Sequence, residues 1–266
     1  MTGAIVMSLI VMSLIVMSLM SLMSLMSMMS MTRRKIHSLA GVAGVLVFAA
    51  LAPDVLSAHG VTGKDAIFLQ SVDGAAIGPL MYLGAKHMVT GYDHLLFLVG
   101  VIFFLYRPKD VLLYVSLFTV GHSVTLLAGA IGGIQANAYL IDAVIGLSVV
   151  YKGFENIGGF KRFLGFQPDT RLAVAVFGLF HGFGLATKLQ EFDLTRTGLV
   201  TNIVSFNIGV ELGQMFALMV ILIGLTYWRT YPSYLRGAFL TNAALMVGGF
   251  MLIGYQLTGY FVFPGV

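Results

Sequence analysis

The sequence predicts an all-α protein, a polytopic transmembrane helical bundle of about six helices after a signal peptide. Three observations predict it. Apolar residues make up 58% of the chain and charged residues only 10%, against about 25% charge in soluble domains. Mean hydropathy is +0.94. From residue 80 onward the chain divides into six apolar segments, each near the ~20 residues a helix needs to cross a bilayer. Cysteine is absent, which excludes disulfides, zinc-thiolate sites and redox cysteines. The formal net charge of +4 reads as membrane topology and not as a nucleic-acid signal.

The first element is a repeat. Residues 4–31 reiterate a Met-Ser-Leu theme, a low-complexity run without distinct packing positions. Residues 1–30 are read as slipped sequence upstream of the true start, outside the mature protein. A start at Met31 creates a targeting segment over 31–58. Arg33, Arg34 and Lys35 form a positive n-region, 39–52 an apolar h-region, and Leu56-Ser57-Ala58 a cleavage site after Pro53. Cleavage there exposes His59-Gly60, whose amine and imidazole nitrogens suit Ni2+ or Cu2+. Residues 59–79 are then a short periplasmic segment, and 80–262 the six-helix domain.

The six spans fall at about 80–106, 110–131, 138–158, 171–190, 199–228 and 234–260. Arg107, Lys109, Lys152, Lys161, Arg162, Arg171, Arg229 and Arg236 lie toward one side, eight positive residues in all. Lys64, Lys86, Lys188 and Arg196 lie toward the other. The positive-inside rule puts the larger set in the cytoplasm. The expected location is a bacterial inner membrane, multi-pass, with both mature ends outside.

An ionisable group in hydrocarbon costs at least ~2.5–3.5 kcal/mol at a helix centre, so each one needs a partner, a cavity or a function. The first span carries His87, Asp93 and His94, with His87 two turns from His94 on a similar face. The second carries His122 and the fourth His181, both near mid-span. The fifth has Asn207, Glu211 and Gln214 at i, i+4 and i+7, one helix face. His94, His122, His181 and Glu211 thus share a depth. Asp142 sits toward the outer mouth and Glu155 at the inner end of the third span. Glycines at 91, 121, 182, 184, 209 and 213 flank these positions, and small residues let helices close on one another. Imidazoles and carboxylates at one depth are ligands for nickel, cobalt, zinc, copper or iron, or relays for protons.

These elements resemble the HupE/UreJ family, and its second group most. The resemblance rests on His87-x5-Asp93-His94 followed by LLFLVG, on FTVGHSVTLL, on the Glu155-Asn156 region, on FGLFHGFG and on FNIGVELGQ, in family order over about 80–220. It implies nickel or cobalt uptake linked to hydrogenase or urease maturation, so a metalloenzyme or its maturation system enters as a partner alongside lipid and the metal ion. It also implies that His87, Asp93 and His94 form the metal motif, with His181 a ligand and Glu211 its acidic partner.

The leading expectation is therefore a secondary permease for a divalent transition metal, not an enzyme. Metal is captured near His59 or Asp142, held by the mid-membrane residues and released near Glu155. Each site must bind with moderate affinity for an ion to move on. No GxxxxGK[ST] phosphate loop is present. Two alternatives use the same residues: an intramembrane metal-dependent hydrolase with zinc-activated water, and a metal-binding subunit of a larger membrane complex.

Overall fold

The computed structural model describes residues 74–134, 136–190 and 198–262. The repeat, the signal peptide and His59 lie outside the described residues. Among those described there are eight helices and no strand: α1 (Ile77–Thr90), α2 (Tyr92–Ile102), α3 (Pro108–Gly132), α4 (Ala138–Asn156), α5 (Gly159–Leu164), α6 (Thr170–Gln190), α7 (Leu199–Arg229) and α8 (Ser233–Val262). Of these, α3, α6, α7 and α8 are long and apolar enough to cross a membrane.

Local chemistry sets the helix ends. Pro108 opens α3, where its missing N–H costs nothing, and Gly133 closes it at φ 62°, a left-handed stop that suits glycine. The Asn137 side chain accepts from the Leu140 N–H at 3.2 Å and caps α4. Asp169 Oδ1 accepts from the Arg171 and Leu172 N–H groups at the start of α6. The start of α1 is held from another helix: Asn202 Oδ1 accepts from the Ala76 N–H at 2.8 Å, and Asn202 Nδ2 donates to Gly74 O at 2.9 Å.

One expected element divides. The first span, read as one helix over 80–106, is two. At Gly91 the backbone turns to φ −74°, ψ 97°, which ends α1 and starts α2. The second half then stops at Ile102, where Arg229 Nη2 donates to the carbonyls of Ile102 and Phe103, each at 2.7 Å. The third span ends at Asn156, with the short α5 following.

The closest packing is pairwise, and glycine makes each pair possible. Helices α1 and α7 run parallel: Gly209 abuts Met81 and Gly213 abuts Ala85. Helices α3 and α6 also run parallel, with Gly121 against Ala175, Gly182 against His122 and Gly129 against Ala186. Helices α4 and α8 run antiparallel, Gly153 meeting Asn242 and Gly146 meeting Gly249. In lipid no hydrophobic force draws helices together, so association depends on such contact and on interhelical hydrogen bonds. Two buried apolar clusters result. One includes Leu80, Met88, Leu126, Ile203 and Phe206. The other includes Phe97, Val101, Phe118, Val149 and Tyr234.

Candidate metal centre in the membrane bundle

The break at Gly91 builds the site. In an unbroken helix, residues 87 and 94 lie about 10 Å apart along the axis. Across the break, the ring centroids of His87 and His94 are 5.2 Å apart. Asp93 falls in the first turn of α2, where the positive end of a helix favours a carboxylate. Its Oδ1 lies 2.9 Å from His94 Nδ1. That nitrogen donates to the carboxylate, which fixes the orientation of the ring.

His181 arrives from α6, its ring centroid 5.0 Å from that of His94. His181 Nδ1 sits 2.7 Å from Phe177 O. A carbonyl only accepts, so Nδ1 carries the proton and Nε2 the lone pair. That Nε2 is buried and has no hydrogen-bond partner among the described residues. One ligand atom from each of Asp93, His94 and His181 lies within 4.8 Å of the other two. All three residues are buried, at 1%, 3% and 1% exposure. An ion held at roughly 2.0–2.2 Å sets its donors about 3–4 Å apart, so small side-chain rotations close the set. Two imidazoles and a carboxylate fit nickel, cobalt or zinc.

The other expected residues stand at different distances. His87, half-buried, flanks His94 and lies 6.1 Å from the Phe206 ring. His122 on α3 is buried, and its Nε2 has no hydrogen-bond partner among the described residues. Its ring meets Phe118 at 6.2 Å, and Phe118 meets His181 at 4.8 Å, so a phenyl ring borders both histidines. Asp142 is buried on α4 and faces Gly184, one turn along α6 from His181. Glu155 is buried and engaged by Lys152, Gln167 and Thr170.

Glu211 is placed apart from the gathered ligands. Its side chain is exposed and lines a groove of about 740 Å3 between α3 and α7, with Thr119, Gln214, Met215 and Leu218. The shared face read from the sequence is real on either side of it: Asn207 Nδ2 donates to Ser123 Oγ at 2.8 Å, and Thr119 Oγ1 donates to Gln214 Oε1 at 3.3 Å. Sequence reasoning missed the Gly91 break, the Phe177 carbonyl that sets the His181 tautomer, and the burial of Lys152. Only Lys152 had a signal, its i, i+3 spacing from Glu155.

Gly91 offers a sharp test. Its φ and ψ are open to any residue, so alanine brings no backbone strain there. A Cβ, however, would lie 2.7 Å from His94 Nδ1 and 3.2 Å from Asp93 Oδ1. Gly91→Ala is expected to weaken Co2+ binding by purified protein about tenfold, the scale of a disturbed outer-shell contact, with helix content unchanged by circular dichroism. Wild-type affinity in that variant would refute the placement of the site.

The fold and this centre define a multi-pass helical membrane protein with imidazoles and a carboxylate gathered inside its bundle. The chain belongs to the HupE / UreJ protein family, whose model matches residues 63–263. That family is associated with nickel and cobalt transport. Comparison with curated proteins and with solved structures found no match.

Proposed function

We propose that the chain is a secondary permease for a divalent transition metal, nickel or cobalt, with the ion held midway by Asp93, His94 and His181. The observation that carries this reading is the buried set of three donors, one of them a histidine whose tautomer leaves Nε2 open to a cation. His87 and Asp142 serve the outer approach and Glu155 the inner exit, with His122 an auxiliary group beside the site. The broken first span suits this role, because discontinuous helices commonly frame transporter sites near the bilayer midplane.

In this reading α1 with α2 makes one crossing and α4 another, six in all. The parallel packing of α1 with α7 and of α3 with α6 accords with alternating crossings. The protein sits in a bacterial inner membrane with both mature ends outside, and it supplies metal to a metalloenzyme or its maturation system. The deciding experiment pairs elemental analysis of purified protein with cellular uptake of Ni2+, Co2+, Cu2+ and Zn2+. Ni2+ or Co2+ accumulation above that of cells lacking the protein is expected. No gain for any of the four ions would sink the permease.

A further inference from the structure

The inner half of the molecule holds a second polar group. Lys152 and Glu155 lie one turn apart on α4, at 6% and 8% exposure. Lys152 Nζ is 2.6 Å from Glu155 Oε2. The other carboxylate oxygen accepts from Gln167 Nε2 at 2.9 Å and from Thr170 Oγ1. Next to them, Asn156 Nδ2 donates to Gly100 O at 2.8 Å and to Asn242 Oδ1 at 2.7 Å.

Two helices join this group to the imidazoles. On α2, Asp93 lies at one end and Gly100, packed on the Lys152 stem, about 10 Å along. On α6, Thr170 opens the helix and His181 follows about 16 Å on. Between them stand Phe97, Phe118 and Phe177, with Phe97 5.5 Å from His181, 5.4 Å from Phe118 and 6.0 Å from Phe177. Phe97 and Phe118 are almost fully buried. A layer of this kind keeps water and ions out until the helices move.

Stability alone explains the Lys–Glu pair poorly. Desolvating two charges offsets much of their attraction, and well-packed apolar residues often do as well. Gln167 and Thr170 meanwhile hold the Glu155 carboxyl group in place, and a carboxylate is a good ligand for a divalent cation. The position such a cation would take at Oε2 is the one the ammonium fills. We infer that Glu155 is a second, inner site for a divalent cation, and that Lys152 is a tethered cation occupying it until the arriving ion displaces the ammonium. Arrival of that ion rests on the permease reading; the site itself does not.

The test removes the imidazole site and counts bound metal. Full-length protein carrying His94→Ala and His181→Ala is placed in nanodiscs and dialysed against radiolabelled Co2+. Adding Lys152→Met is expected to create one equivalent of Co2+ binding, and adding Glu155→Gln to that variant is expected to remove it. Equal binding by the two variants overturns the inference. If Lys152→Met is too unstable to dialyse, its thermal midpoint is read instead. Co2+ should raise that midpoint through binding to the folded state, and should leave the doubly altered pair unmoved; the same response in both overturns the inference.

Displacement has its own readout. Lys152→Arg keeps the charge but grips the carboxylate at two points. It is expected to lower maximal Co2+ uptake about tenfold, the low end for a change beside a metal ligand, at unchanged membrane level. Wild-type uptake in this variant overturns the displacement step. Absence of uptake by the wild-type protein would defeat the permease reading and leave the dialysis result standing.

Discussion

Alanine in place of His94 or His181 is expected to abolish metal uptake while the protein still reaches the membrane at its usual level. Each substitution removes one of three gathered donors. Losing an outer-shell partner of a metal ligand lowers affinity about 10–100-fold, so losing the ligand itself should exceed about a hundredfold. The two variants should differ in kind. His94→Ala also removes the imidazole that Asp93 Oδ1 meets at 2.9 Å, and taking away a partner of a buried carboxylate destabilises. His181→Ala leaves only Phe177 O without its side-chain donor, so its folding defect should be smaller. Co2+ titration of purified protein and cellular uptake measure the first effect, and thermal unfolding measures the second. Uptake retained at the wild-type rate in both variants would remove Asp93, His94 and His181 from the transport path.

Much of this centre was legible in the sequence because charge and imidazole are conspicuous in an apolar chain. His94 and His181 stood near mid-span by residue count, and they are neighbours in the structure. The i, i+7 spacing of His87 and His94 gave the correct face but the wrong separation. A glycine inside an apolar helix reads equally as a packing residue or a break. At Gly213 it is the first and at Gly91 the second, and only backbone geometry tells them apart. Glu211 exposes another limit. Helical periodicity places it correctly between Asn207 and Gln214, but periodicity cannot say whether a face meets the bundle interior or a groove. By position Lys152 reads as one of the loop charges that set topology; it lies buried in α4 instead, because Glu155 is one turn away to receive it.

Two glycines of α6 make the largest structural prediction. Gly178 and Gly182 stand four residues apart on α6, a spacing that lets helix backbones touch. Gly178 meets Phe118 of α3, and a Cβ at Gly182 would collide with His122 O and Thr125 Oγ1. Neither group can swing aside freely: one is helix backbone, and the Thr125 hydroxyl is held 2.7 Å from Leu179 O. Gly182→Ala is therefore expected to lose about 3 kcal/mol, the upper range for an overpacked core. Gly182→Leu should separate α3 from α6, so that His122 and His181 lose their register and the protein fails to accumulate. Gly224→Leu on α7 is the matched control, since nothing lies within 4 Å of a Cβ there, and it should behave as wild type. Unfolding midpoints and membrane levels of the three variants give the comparison. If Gly182→Leu and Gly224→Leu were equally stable, contact of the α3 and α6 backbones would not be what holds the two histidine helices together.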